Sequence, residues 1–567
     1  MLPQWIPFVK RNFDFSKNFV WLIGFMWASL SSARLIYHPF TGMSTVFFAF
    51  FKILLVSYIL QKNCGILYYM YKTLSFSTKT ELEYQGIVSL PNLSALFAGC
   101  DDFQTRRVDF GLGAVQGVTA CWLDGLVSGE RVSEDILRPL TQATRSGGAV
   151  GDPAVIEQIL RGAVYRCAVQ ARTTLADTVD DLTHGCCVLL FEQAGAALSF
   201  EVRCENTRAV AQPTLEKSLK GAKDSFVEAL RTNTALVRRR VCSPRLKLRE
   251  RSVGRRSHTR FAILYIEGIV SPELVAALDR RLDRLDVDAL LATGTLEEFI
   301  VDTPLSPFPQ LLHTERPDRF AMYLLDGRVG LLVDGLPVAL VLPVTFAEFM
   351  KVTGDASVHY TAATALTLLR WTALLLSLLT PAVYVAVAKF HPEMIPTRLL
   401  LSIIDSEQQV PFSAELEVLG MLFAFGLLQE AGLRLPNPVG DTVSIIGALI
   451  VGQAAVEARL VSPISIIVVA ISGISCYALP SQDLASAIRL CRLGLLLAAI
   501  AAGLYGVGLG CCLLLLHLSD LESFGVNYTA PLSESEHGLS RLLLRIPKAW
   551  NKYRDPLLRT PDRRRQG

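Results

Sequence analysis

Apolar residues are concentrated in some parts of this chain and charged residues in others. Two apolar stretches, residues 19–33 and 45–60, lie near the N-terminus, and residues 361–518 are dominated by Leu, Ile, Val, Ala and Gly. Charged residues concentrate in residues 80–351 and again after Arg541. This division predicts a soluble region followed by a membrane region and a short basic tail.

The soluble region contains an internal repeat. Residues 118–137 and 261–280 each run from an apolar strand pattern through an acidic residue and a glycine into a helix pattern, 143 positions apart. Two hairpin patterns with acidic turns place Glu192 and Asp334 142 positions apart. Two landmarks at nearly one offset predict a duplicated α/β unit. Ser128 and Ser271 then occupy helix N-cap positions, which is a structural role.

We therefore expect an integral membrane α-helical domain preceded by a soluble α/β region made of two related subdomains. The predicted division is an N-terminal hydrophobic hairpin of two candidate spans (1–80), subdomain 1 (81–212), a basic linker and helix (213–245), subdomain 2 (246–355), a multi-pass membrane domain (356–520) and a basic tail (521–567).

Polar residues interrupt the apolar segments of the membrane region. A charge at the bilayer centre costs at least about 2.5 kcal/mol, so Gln453, Glu457 and Arg459 predict a polar path or gate. The alternative is a hydrogen-bonded pair at a turn near residues 457–460, with Arg459 extending to the interface. Three further acidic residues predict either an acidic ring in an oligomer or the polar face of an amphipathic helix. They are Glu415, Glu417 and Glu430.

Small residues at four-residue spacing predict close helix packing in two segments. These are Ser444, Ala448 and Gly452, and Ala502, Gly506 and Gly510. In the soluble region, the loop containing Glu315, Arg316, Asp318 and Arg319 predicts an Arg–Asp network that couples subdomain 2 to its neighbours. A catalytic role for this loop is the weaker interpretation.

Charge and parity predict the topology. The tail carries nine Lys or Arg from Arg541 onward against two Asp, so the tail and the soluble region are both expected to be cytoplasmic. The number of membrane crossings between them must then be even, so the five candidate segments cannot all cross. Residues 412–435, with their acidic side chains, are expected to be interfacial or re-entrant.

Composition limits the possible chemistry. The chain is 51% apolar and 19% charged, with a net charge of +3 and a mean hydropathy of +0.38. The arginines between Arg238 and Arg260 lack interleaved aromatic residues, which argues against nucleic acid and favours a solvated or lipid-facing surface. Twelve scattered cysteines fit neither a metal site nor a disulfide framework. Because the sequence shows no arrangement of residues typical of a catalytic site, we expect that the protein is not an enzyme and binds no cofactor.

Long stretches resemble the A subunit of GerA-type spore germinant receptors. They include HTERPDRFAMYLLDGRVGLLVDGLPVALVLPVTF from His313, FHPEMIPTRLLLSI from Phe390 and RLPNPVGDTVSIIGALIVGQAAVEARLVSPISIIVV from Arg434. The likeness covers roughly residue 90 to the end, whereas residues 1–80 have no counterpart in the family pattern.

The resemblance implies a function in spore germination. Proteins of this family are expected in the spore inner membrane, beside a permease-like B subunit and a lipoprotein C subunit. Their A subunits are expected to form homo-oligomers in membrane lipid that act as nutrient-gated cation channels. Two alternatives remain: a SpoVAF-like paralogue, and a non-conducting scaffold for receptor partners.

Overall fold

The computed structural model describes residues 84, 86–110, 116–145, 152–164, 167–204, 213, 216, 220–434, 450–532, 542–547 and 550–565. The expected N-terminal hairpin, Ser444 and Ala448 lie outside these residues.

Subdomain 1 is built on a five-stranded antiparallel sheet of order β1-β2-β4-β5-β3. All six residues of β4 are buried, since helices cover both faces of this central strand. The strands are β1 (Phe103–Phe110), β2 (Gln116–Leu123), β3 (Val169–Arg172), β4 (Cys186–Phe191) and β5 (Ala196–Glu201). The helices are α1 (Leu90–Leu96), α2 (Gly129–Arg131, Val132–Leu137 and Arg138–Arg145 in succession), α3 (Asp152–Gln158 with Ile159–Ala163) and α4 (Leu175–Thr183).

Subdomain 2 repeats this plan, with strand order β6-β7-β9-β10-β8. Its strands are β6 (Leu246–Val253), β7 (Thr259–Ile266), β8 (Leu312–Thr314), β9 (Val329–Val333) and β10 (Ala339–Leu342). The helices before and within it are α5 (Leu230–Arg238), α6 (Pro272–Leu282), α7 (Thr293–Ile300) and α8 (Pro317–Leu325), and α9 (Phe346–Phe349) follows. The same order in both sheets supports the predicted pair of related subdomains.

The repeated turns follow the sequence pattern in both copies. Gly125 and Gly268 have φ of 88° and 81°, a conformation that side chains with a Cβ rarely adopt. Ser128 caps α2, its hydroxyl accepting a 3.4 Å bond from the Arg131 amide. Ser271 also occupies the N-cap of α6, but its side chain makes no capping bond there. The predicted cap position is right in both copies, and the capping bond forms in the first.

The helix α5 is buried between the two subdomains. Arg238 and Asp102 are each 1% exposed and form a bidentate pair with two 2.8 Å bonds. Downstream, Arg249 pairs with Asp279 at 2.8 Å. The expectation that this arginine run forms a solvated or lipid-facing surface is therefore wrong for Arg238, because a carboxylate 136 positions away neutralises it inside the protein.

The C-terminal part is helical. Its helices are α10 (Tyr360–Phe390), α11 (Thr397–Glu407), α12 (Ala414–Arg434), α13 (Ile450–Ala454 with Ala455–Glu457), α14 (Pro463–Tyr477) and α15 (Gln482–Asp520). Among the described residues, α10 and α15 are long and apolar enough to cross a membrane. A two-stranded hairpin, β11 (Glu522–Ser523) and β12 (Val526–Asn527), follows α15.

Two helices bear directly on the sequence-based expectations. The helix α15 is folded into two arms at Ala502 and Gly503, where the backbone leaves helical geometry. Gly503 has φ of +60°, and a Cβ there would lie 2.9 Å from the Phe390 ring. Residues 412–435, expected to be interfacial or re-entrant, contain the continuous 21-residue helix α12 packed against α10 and α14. The interfacial or re-entrant placement of this segment stays a prediction, because α12 is not one of the two described helices long and apolar enough to cross a membrane.

Candidate functional site

The predicted coupling loop lies where subdomain 2 meets the linker. Arg316 donates two bonds to Asp318, of 3.0 and 2.7 Å, and Arg319 pairs with Glu216 of the linker. The Glu315 carbonyl accepts a 2.7 Å bond from the Phe226 amide. Burial would raise the pKa of Asp318, but the bonds from Arg316 outweigh burial and lower that pKa below its usual range.

A second group of charges extends this network toward the helices. Arg319 also donates to the Lys351 carbonyl at 3.3 Å. Glu348 accepts from Lys351 at 2.7 Å and pairs with Arg328 at 2.9 Å. Burial would raise the pKa of Glu348, but Lys351, Arg328 and Arg319 outweigh burial and lower it to about 2. The carboxylate therefore stays charged at neutral pH while buried.

The network reaches the first long helix through Arg370. This side chain of α10 makes a bidentate pair with Asp355, with bonds of 2.6 and 2.7 Å, and donates to the Met350 carbonyl. Both partners expose 12% of their side chains. A planar guanidinium that makes two bonds to one carboxylate fixes the orientation of the two groups as well as their distance. The first turns of α10 are thus held to the end of subdomain 2.

An apolar joint lies beside these ion pairs. One hydrophobic cluster includes Phe320 and Leu332 of subdomain 2 together with Leu374, Leu484 and Ile488 of the long helices. The sheet and the helices therefore share one continuous apolar cluster. Because interiors pack at crystal-like density, a displacement of one element is transmitted to the others.

The segment after α15 is hydrogen-bonded to subdomain 2 beside the apolar joint. The Tyr528 hydroxyl donates to the Pro309 carbonyl at 2.8 Å, and the Tyr528 carbonyl accepts from the Phe346 amide at 2.8 Å. Ser523 accepts from the Val344 amide at 3.2 Å and donates to the Gln310 carbonyl. The chain therefore returns from the last helix directly onto subdomain 2.

The acidic residues of α12 have different environments. Glu417 is 3% exposed and accepts a 2.8 Å bond from the Ser462 amide, at the N-cap of α14. Glu415 pairs with Lys389 at 2.8 Å. Glu430 is exposed toward the other end of α12. Glu417 thus satisfies a buried backbone donor, which the sequence did not indicate.

The residues of the predicted path or gate lie around a turn. Gln453, Glu457 and Arg459 are all exposed on the single chain. Helix α13 ends at Glu457, and Arg459 has a left-handed φ of 54°, so the chain turns here as the alternative interpretation predicted. Gln453 lies in a π-helical turn, so the four-residue spacing to Glu457 does not imply the shared face that an α-helix would give.

The predicted packing glycines lie inside the α15 hairpin. A Cβ on Gly506 would be 2.1 Å from the Ala498 carbonyl oxygen, and one on Gly510 would be 2.5 Å from Leu495. These small residues let the second arm approach the first. Ala502 is at the fold and is exposed, and Gly452 has open space where a Cβ would project.

Sequence reasoning missed two buried arginines as site residues. Arg370 was visible as a charge inside an apolar helix, but its partner Asp355 could not be read from spacing. Arg492, in the first arm of α15, donates to the Ser472 hydroxyl at 2.9 Å, and Ser472 donates to the Ser377 carbonyl at 2.8 Å. A charged residue in an apolar segment is the signal that could have identified both.

These features define a class of protein: two α/β subdomains joined by ion pairs and an apolar core to a helical part that contains candidate membrane spans. The sequence profile of the family described as "Bacillus/Clostridium GerA spore germination protein" matches residues 91–557. The chain belongs to this GerA family.

Several known proteins are similar to the chain. The "Uncharacterized membrane protein YfkQ" of Bacillus subtilis is 34% identical over 469 residues, covering 82% of this chain and 90% of that protein. "Spore germination protein KA" of the same organism is 36% identical, with coverage of 82% and 85%. A solved structure, the N-terminal domain of the A subunit of the Bacillus megaterium spore germinant receptor GerK3, matches at 26% identity and a TM-score of 0.37, covering 46% of this chain and 99% of that one.

Proposed function

We propose that this chain is the A subunit of a spore germinant receptor. In this proposal it oligomerises in the spore membrane into a nutrient-gated cation channel, together with a permease-like B subunit and a lipoprotein C subunit. It acts by conformational coupling and catalyses no reaction. Membership of the GerA family supports the germination role. Two relatives that this chain matches over more than 80% of their length are named as spore germination proteins.

The observation that carries the proposal is the direct joint between subdomain 2 and the helices. The Arg370–Asp355 pair and the shared apolar cluster connect the sheet to α10 and α15 with buried contacts. A soluble receptor domain that only tethers to a membrane needs no such joint. A domain that moves membrane helices does need one, because coupling travels through packed, two-state elements.

The arrangement of helix ends supports a multi-pass topology with the subdomains and tail on the cytoplasmic side. His517, in the last turn of α15, contacts Ser306 of subdomain 2. At the opposite end, Lys389 meets Glu415, and Phe390 packs on Gly503. Several helices thus run between the same two ends of the helical part. The basic tail contacts subdomain 2, where Arg554 donates to the Leu325 carbonyl at 2.9 Å.

Exposed polar residues in the helical part support an oligomeric path. Gln453, Glu457, Arg459 and Glu430 are exposed on one chain, at or near the ends of α13 and α12, and polar groups of a membrane domain face protein or water. Assembly of several copies would enclose them. Carboxylates in a ring attract cations, which is the selectivity proposed here.

Cation flux through the reconstituted chain tests this proposal. We expect Glu457→Gln and Glu430→Gln to lower the cation-to-anion permeability ratio, because each removes one carboxylate per copy. Glu273→Gln, an exposed charge change on α6 of subdomain 2, is the matched control and should leave the ratio unchanged. Flux that is absent, or equal in all three variants, would refute the channel role and favour the scaffold alternative.

A further inference from the structure

A histidine between two carboxylates bridges subdomain 2 and the first arm of α15. His313, on the edge strand β8, places Nδ1 3.0 Å from an Asp483 carboxylate oxygen. Its Nε2 lies 3.8 Å from a Glu297 carboxylate oxygen on α7. Because both ring nitrogens face acceptors, the doubly protonated imidazolium satisfies the arrangement best.

The position of Asp483 makes this contact a mechanical link. Asp483 lies in the first turn of α15, where the helix dipole stabilises a negative charge. The neighbouring Leu484, Ala487 and Ile488 pack in the apolar cluster shared with subdomain 2. The ion pair therefore lies at the edge of the apolar joint, where it holds β8 against the base of the arm.

We propose that His313, Asp483 and Glu297 form a pH-sensitive latch between subdomain 2 and the first arm of α15. Protonated His313 closes the latch, and deprotonation opens it, because a neutral imidazole then separates two carboxylates that repel each other. The latch itself follows from these contacts alone. Its consequence, a channel whose gating responds to pH, rests on the proposed function.

The groups around the latch determine the pKa shifts of His313 and Glu297. Burial would lower the pKa of His313, but Asp483 and Glu297 outweigh burial and raise it above its usual value of about 6.5. Burial, with the charges of Asp483 and Glu298, raises the pKa of Glu297 despite the opposing charge of His313. From the other side, Tyr528 commits its hydroxyl to the Pro309 carbonyl.

The sign of the pH dependence follows from these shifts. A group whose pKa is raised in the folded state contributes stability below its unfolded pKa and loses it as pH rises through the folded pKa. His313 has a raised pKa because of its two carboxylate neighbours, so raising the pH weakens the latch as the imidazolium loses its proton. The main loss should fall above about pH 6.5, where the imidazole titrates.

Hydrogen–deuterium exchange of the full chain in detergent tests the latch. Exchange of peptides from the start of α15 is measured at about pH 6 and about pH 8.5, on either side of the usual imidazole pKa, and is corrected for intrinsic rates. In the native chain we expect exchange to rise with pH, by up to about tenfold for each unit by which the folded pKa exceeds the unfolded one. His313→Gln and Asp483→Asn should each abolish this step.

The matched control is His184→Gln, which removes an exposed histidine paired with Asp180 inside subdomain 1. This variant should retain the step. No step in the native chain, or an unchanged step in both latch variants, would overturn the latch. The measurement requires no ion conduction, so a failure of cation flux would count against the channel and leave this result intact.

Discussion

Removing the buried carboxylate of Asp102 should separate the two subdomains. The Asp102→Ala variant leaves the Arg238 guanidinium at 1% exposure without its bidentate partner. The guanidinium keeps the Ser243 carbonyl, 3.2 Å from Nη1, as a neutral acceptor. Breaking a buried pair from one side typically costs about 3–5 kcal/mol, because the other charge is left uncompensated.

The cost can be read as a shift in the urea midpoint of the full chain in detergent. With a slope of about 2–3 kcal/mol per molar urea, the midpoint should fall by about 1–2.5 M. The buried thiols Cys121 and Cys187 report unfolding of subdomain 1 through pulsed alkylation and mass spectrometry. Burial raises the pKa of Cys121 to about 12, so this thiol stays unreactive while the sheet is folded.

Two further variants make the test decisive. Glu134→Ala removes an exposed pair with Arg138 in α2 and should cost no more than about 0.5 kcal/mol. The double variant Asp102→Leu with Arg238→Met should recover most of the loss, since apolar residues replace a buried pair at little cost. An equal effect of Asp102→Ala and Glu134→Ala would refute the reasoning.

Three other changes have defined outcomes. Gly330→Ala places a Cβ 2.1 Å from the Phe320 ring and should destabilise subdomain 2 by at least about 1–3 kcal/mol in the same urea assay. The control Gly294→Ala adds a Cβ in open space on α7 and should be neutral or stabilising. Glu348→Gln should remove stability present above about pH 4.5 and lost as pH falls toward 2, so the acid dependence of the midpoint between those values should weaken. Gly506→Ala should open the α15 hairpin, detected as increased exchange at the end of α15.

The internal repeat was predictable because its signal is local. Each copy places a strand, an acidic residue, a glycine and a cap serine within about a dozen positions, and the chemistry of that turn dictates the order. The fold of α15 carried a weaker signal, because an uninterrupted apolar run looks alike whether it is one long helix or two packed arms. The spacing of Gly506 and Gly510 predicted close helix packing without naming the partner helix, and the structure places that packing between the two arms of the hairpin.

The joints could not be predicted from spacing, because they connect distant positions. Arg238 and Asp102 are 136 positions apart, and His313 and Asp483 are 170 apart. A single sequence shows that a charge sits in an apolar setting, but not which carboxylate neutralises it. The coupling loop is intermediate: the arginines and Asp318 are neighbours, so a network was foreseeable, whereas its extension to Glu216 and Lys351 was not.

The order of these joints constrains how a signal could travel. Subdomain 1 meets subdomain 2 through the Arg238–Asp102 pair and through backbone bonds between residues 99–101 and Leu248 on the edge strand β6. Subdomain 2 in turn holds α10 through Arg370 and α15 through His313. A change in subdomain 1 would thus reach the helices by way of subdomain 2. Asp102→Ala should then alter exchange at α15 only if the two joints are energetically coupled, and the double variant Asp102→Ala with His313→Gln measures that coupling as a departure from additivity.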